Sequence, residues 1–115
     1  MSRKSGSRRA IRLHGHAPVF AALGDETRLR LVARLSDGQP HSISRLTQGS
    51  RLTRQAITKH LRVLESAGMV RHTHSGRESR FALNPQPLFG LKEYLDLVSE
   101  QWDQALARLK SFVER

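Results

Sequence analysis

Arg54, Gln55, Thr58 and Lys59 fall within one stretch, Thr53 to Gly68, whose apolar residues recur with a helical period. At about 100° per residue, Ala56, Ile57, Leu61, Val63, Leu64 and Ala67 share one arc of a helix. Arg54, Gln55, Thr58, Lys59, Arg62 and Glu65 occupy the opposite arc. A helix built this way packs through one face and presents guanidinium, ammonium, amide and hydroxyl groups on the other. Guanidinium and amide groups make paired hydrogen bonds to guanine and adenine edges, and cations hold phosphates. The polar face therefore has the chemistry of major-groove reading. A solvated helix face is the plain alternative, and the flanking sequence decides between the two.

Other chemistries have less to stand on. The chain contains no Cys, which excludes disulfides, thiolate metal sites, cysteine nucleophiles and thiol redox sensing. It shows no paired carboxylates at useful spacing, no phosphate-cradling glycine loop and no nucleophile with a base, so it reads as a non-enzyme without a cofactor. His14 and His16 sit in an N-terminal segment without a third ligand. His72 and His74 alternate onto one strand face, about 6.6 Å apart, where a third ligand would complete a metal site. Solvated wing residues that reach phosphate are the simpler account. His60 lies within the apolar arc, which predicts a partly buried, hydrogen-bonded, structural imidazole. His41 sits in a turn before a helix and shows nothing further.

Composition narrows the partners. A chain of 115 residues with 37% hydrophobic content suffices for one domain with one core. The net charge is +10, and its distribution is uneven. Residues 1–16 carry five basic groups and no acid, 17–50 four against three, 51–84 seven against two, and 85–115 four against five. Positive charge concentrated on the tail and on the reading helix favours a polyanionic partner, nucleic acid foremost. No run approaches the roughly 18 apolar residues of a membrane span, and the N-terminus lacks the apolar segment of a signal peptide. A cytoplasmic, nucleoid-associated location and no membrane partner are expected.

Several elements must position the reading helix. Residues 1–16, with Arg3, Lys4, Arg8, Arg9 and Arg12 among Ser and Gly, read as a flexible basic arm able to lie along DNA, or as a solubilising tail. Residues 17–84 read as a winged helix-turn-helix domain. Pro18 suits the first turn of a short helix that Gly24 stops. Asp25 caps a second helix with Leu29, Leu31, Val32 and Leu35 as its buried stripe and Arg28, Arg30 and Arg34 outside. Ser42 caps a third, brief helix ending at Gln48, and Gly49 closes it in the left-handed region. Four residues, Gly49 to Leu52, then lead into the reading helix, which is the helix-turn-helix pattern, with Arg51 and Thr53 at its entrance. Met69–His74 and Ser79–Leu83 form a hairpin around Ser75, Gly76, Arg77 and Glu78, with Val70, Phe81 and Leu83 toward the core. Arg71, Arg77 and Arg80 arm this wing, and Arg77 at the tip is its best phosphate contact.

Residues 85–115 read as a dimerisation helix started by Pro87. Leu91, Leu95, Val98, Trp102, Ala105, Leu109 and Phe112 are spaced 4, 3, 4, 3, 4, 3, a strict heptad alternation. From Leu88 to Phe112 the helix extends about 37 Å, more than a small domain covers. The same helix of a second copy is the economical cover, and it would relate two reading helices by a two-fold axis matched to a palindromic operator. Folding back onto its own core is the alternative.

Three segments together, ALGDETRLRL at 22–31, TRQAITKHLRVLESAGMV at 53–70 and the hairpin ending SRFAL, resemble the ArsR/SmtB family of winged-helix repressors. The likeness covers roughly 17–84, with a C-terminal helix of the kind that family uses to dimerise. It implies a mostly α fold with a small β-hairpin, a homodimer, a double-stranded DNA operator, and repression relieved by an inducer. By position, Arg54, Gln55, Thr58 and Lys59 match the family's groove-facing residues and Arg77 its wing tip. The family's cysteine pair is absent from Ser42–Gln48, and residues 88–115 hold no His, so neither usual metal site is present. Such a member is expected to answer to a small organic molecule, a protein partner or nothing. The competing readings are a non-specific architectural or RNA-associated basic protein, and a metal sensor with a non-standard His site.

Overall fold

Side-chain caps punctuate the chain where Asp, Ser and Thr fall before apolar runs. Asp25 accepts from the Arg28 backbone N–H at 3.0 Å, Ser42 from Arg45 at 3.1 Å and Thr53 from Ala56 at 3.1 Å, each satisfying a donor that a helix start leaves free. The computed structural model describes residues 15–114. Helix α1 spans 15–23, followed by α2 (Glu26–Leu35), β1 (His41–Ser42), α3 (Ile43–Thr47), α4 (Arg54–Ser66), β2 (Val70–Ser75), β3 (Glu78–Leu83) and α5 (Gln86–Val113). The basic arm expected over 1–16 lies outside the described residues, except that Gly15 and His16 belong to α1. The helix is thus in place two residues before the expected start at Ala17.

The core is the meeting of α2, α3, α4 and the sheet. Leu35, Leu46, Ile57, Leu61, Leu64 and Met69 are fully buried, with Leu31, Val32, Val70 and Phe81 around them and Val19 and Ala22 of α1 closing one side. Each large side chain so buried contributes about 1.5–3 kcal/mol. Two expected members are outside. Leu29 is 52% exposed and Val63 41%. The cause is angular, since Leu29 stands about 110° around α2 from the centre of Leu31, Val32 and Leu35, and Val63 about 120° around α4 from Ile57, Leu61 and Leu64. Arg28, expected outside, lies at the centre of the buried arc of α2 and is half-buried.

The sheet has three antiparallel strands in the order β1-β3-β2, where only a hairpin was expected. β1 pairs His41 with Phe81 and Ser42 with Arg80, tying the start of α3 to the wing. His41 is buried, with Nε2 2.8 Å from an Asp37 carboxylate oxygen and Nδ1 unpartnered. The Asp37 carboxyl is held below the usual carboxylate range, first by the Gln39 backbone N–H and also by His41. Ser75 pairs with Glu78, so the wing turn is two residues, Gly76 and Arg77, shorter than the expected loop. Gly76 has φ +63° and Arg77 is not left-handed, the arrangement that suits the strand twist in a tight hairpin.

Helix α5 runs for 28 residues and begins at Gln86, one residue before Pro87. Its first turns dock on α1, where Tyr94 lies 5.3 Å from His16 and 5.9 Å from Phe20 between ring centres. A Cβ at Gly90 would lie 3.2 Å from the His16 ring, so the helices approach there because the residue is glycine. Of the heptad stripe, Leu91 is buried, and Val98 and Ala105 are half-buried. Leu95, Trp102, Leu109 and Phe112 are 51%, 63%, 58% and 71% exposed. The fold is therefore mostly α with a small antiparallel sheet and a long C-terminal helix, and it reaches 66 Å in its longest dimension.

Candidate nucleic-acid interface

The turn that aims α4 is set by Gly49 at φ +75°, a conformation in which a Cβ is strained. Ser50 accepts from Leu52 N–H at 3.0 Å, and the Thr53 cap then starts α4. Arg34 holds the end of α3 from behind, donating to the Leu46 carbonyl at 2.9 Å and the Arg45 carbonyl at 2.8 Å. The helix that crosses α4 is thereby bonded to α2 as well as packed on it.

With the packed face fixed by Ile57, Leu61 and Leu64, the opposite face of α4 stands open. Arg54, Gln55, Lys59 and Arg62 are exposed and, among the described residues, their side chains hold no hydrogen bond or ion pair. Thr58 is half-buried and donates its hydroxyl to the Arg54 carbonyl at 2.7 Å, leaving oxygen lone pairs free. The Thr53 hydroxyl is used as a cap acceptor, and its proton remains available to donate. Arg54, Gln55, Thr58 and Lys59 line one groove with Ile43. Arg54 also lines a second cleft with Ser42, Ser44, Arg77, Glu78 and Ser79, so the start of α3, the start of α4 and the wing tip converge there.

The expected residues do not all gather. Arg51 is exposed on the other side of the turn, lining a cleft with Arg30, Arg34 and Gln48. Arg62 is exposed one turn beyond Thr58 and Lys59. On the wing, Arg80 is bonded to Glu78 at 3.4 Å and Arg71 to Asn84 at 3.4 Å, whereas Arg77 has no partner among the described residues. Ser42 and Ser44 were missed in the sequence. No local signal marks them, because they reach the cleft only where the wing folds back beside the start of α3.

The histidines divide by burial. His60 is half-buried on the packing side of α4, with Nδ1 3.0 Å from an Arg28 guanidinium nitrogen. His72 stacks flat on Phe81 with ring centres 4.6 Å apart, and His74 lies 4.7 Å from His72. Among the described residues no three His, Asp or Glu groups gather into a set able to hold a metal ion, and no helix is long and apolar enough to cross a membrane.

Comparisons with known proteins agree with this geometry. The family described as a helix-turn-helix domain matches residues 23–73. The HTH-type transcriptional regulator YuzN of Bacillus subtilis is 38% identical over 79 residues, covering 64% of this chain and 86% of that protein. The HTH-type transcriptional regulator Rv2034 of Mycobacterium tuberculosis is 31% identical over 96 residues, covering 84% and 86%. An ArsR-like transcriptional regulator from Rhodococcus superposes with a TM-score of 0.72 at 35% identity, covering 87% of this chain and 93% of that one. Regulators of this kind are not enzymes. Matched over most of both chains to such proteins, with the turn, helix and wing arranged to meet DNA, the chain belongs to the ArsR family of winged helix-turn-helix, DNA-binding transcriptional regulators.

Proposed function

We propose that the protein is a homodimeric repressor that binds a palindromic operator, each protomer laying α4 in a major groove with its wing alongside. The observation that carries this reading is a pair of unpartnered faces, one polar on α4 and one apolar on α5. Arg54 and Gln55 are the base readers, since a guanidinium pairs with guanine O6 and N7 and an amide with adenine N6 and N7. Thr58 and Lys59 complete the reading surface. Arg51, Thr53, Arg62 and Arg77 contact phosphates, which position the protein without reading sequence.

The dimer follows from the stripe Leu91, Leu95, Val98, Trp102, Ala105, Leu109 and Phe112. Leu95, Trp102, Leu109 and Phe112 are half to three-quarters exposed, so burying what remains of them in two protomers, at about 1.5–3 kcal/mol per full side chain, supplies roughly 7–15 kcal/mol. The rigid-body cost of association is about 4–15 kcal/mol. Two-fold pairing would relate the two reading helices by a dyad, the symmetry of an operator whose half-sites lie about one DNA turn, or a multiple of it, apart. Bound there, the dimer excludes other proteins from the same DNA, and a small organic molecule or protein partner that disfavours the paired geometry would relieve repression.

Selection of bound fragments from the source genome, followed by the mass of the purified complex, tests this. Two protomers on fragments sharing one inverted repeat are expected. A single protomer per site, or fragments with no common sequence, would contradict it and favour the architectural reading.

A further inference from the structure

A charged side chain at the centre of a buried helix face needs a reason. Arg28 occupies that position on α2, where burial of an unsatisfied guanidinium would be costly. Its Nε–H donates to the Ala22 carbonyl near the end of α1, and Nη1 lies 3.0 Å from His60 Nδ1 on α4. Asp25, which caps α2 through the Arg28 backbone N–H, has a carboxylate oxygen 3.7 Å from the same imidazole nitrogen. Guanidinium has no acceptor, so the bond to His60 exists only when Nδ1 is a bare lone pair and the ring proton sits on Nε2. One side chain, Arg28, thus ties three helices by directional bonds, to α1 through Ala22 and to α4 through His60.

We infer that Arg28 and His60 are a positioning pair that fixes the rotation and axial setting of α4, and through it the specificity of DNA reading. This rests on α4 being the reading helix. His60 follows Lys59 directly, so its anchor holds the helix at the level of the reading residues. Phosphate contacts tolerate small displacements of a charge, whereas paired bonds to a base edge do not. Loosening the anchor should therefore lower operator affinity and leave random-sequence affinity alone. The charged groups brought against the imidazole are Arg28 and Asp25, both at the start of α2.

The test measures affinity of the full chain for operator and for random duplex DNA at fixed salt and pH, with folding checked by circular dichroism. His60→Ala is expected to lower the operator-over-random ratio roughly tenfold with random-DNA affinity unchanged. His60→Asn, whose Oδ1 stands close to the place of Nδ1 and accepts a hydrogen bond there, should restore the ratio. An equal loss on both DNAs, an unchanged ratio in His60→Ala, or a ratio in His60→Asn as low as in His60→Ala would overturn the pair. Arg54→Ala is measured beside them. If it lowers the ratio and His60→Ala does not, only the positioning pair falls; if it leaves the ratio unchanged, the reading face falls and the pair with it.

Discussion

Helices α4 and α5 are both amphipathic, and the fold uses them in opposite ways. α4 has 13 residues, buries Ile57, Leu61 and Leu64, and leaves a polar face in solvent. α5 has 28 residues, buries only Leu91, and leaves an apolar face in solvent. A polar face without partners is stable in water and available to a hydrated polyanion. An apolar face without partners is stable only when something dry covers it. The first is suited to reversible reading and the second to lasting assembly, and the proposed palindromic operator would need both, since one recognition helix would cover only half of it.

Breaking the α5 face should have the largest effect. Trp102→Ala is expected to halve the mass seen by light scattering and to lower operator affinity about a hundredfold or more, as linkage between half-sites is lost. An unchanged mass would remove the heptad stripe from the interface. Next in size, Leu61→Ala in the buried face of α4 should destabilise the fold by about 2–5 kcal/mol in chemical denaturation. Phe112→Ala, at an exposed residue of the proposed interface, should leave local protomer packing intact, and hydrogen exchange within residues 26–83 separates the two. On the exposed face of α4, Arg54→Ala or Gln55→Ala should cost about 1–3 kcal/mol on the operator and relax sequence preference. Arg77→Ala should weaken operator and random DNA together and reduce the salt slope by about one. Equal loss on all sequences from Arg54→Ala would merge the two classes of contact.

The smallest expected effect is on acid stability. The Asp25 carboxyl is held below its ordinary value, first by the Arg28 backbone N–H, with His60 and Arg28 adding to it. A carboxylate whose pKa is lower in the folded state contributes stability above its unfolded pKa. That contribution is lost as pH falls through the lowered one. Asp25→Asn should therefore be less stable than wild type near neutrality, with the gap closing below about pH 4. A gap that persists at pH 2.5 would point to packing rather than charge.

Much of this arrangement was legible from residue types alone. The α4 stripe, the Gly49 turn and the caps at Asp25, Ser42 and Thr53 each depend on neighbours within four residues, which a linear reading captures. What was missed depends on angle or on distant partners. Leu29 was counted with the buried stripe because it is leucine, although its angle on α2 points it outward, while Arg28 was placed outside because it is charged, although His60 and Ala22 await it inside. β1 is two residues long and has no periodicity to read, and His41 is buried because Phe81, forty positions on, pairs with it. Ser42 and Ser44 join the candidate interface only because the wing folds back beside them.

The proposed operator recognition requires two copies of α4 at one symmetric site. Hydroxyl-radical footprinting on a selected genomic fragment tests that directly. Two protected patches of equal strength, related by a dyad and centred about 10–10.5 base pairs, or a multiple of it, apart, are predicted. Continuous protection without a dyad, or one patch alone at saturating protein, would contradict it.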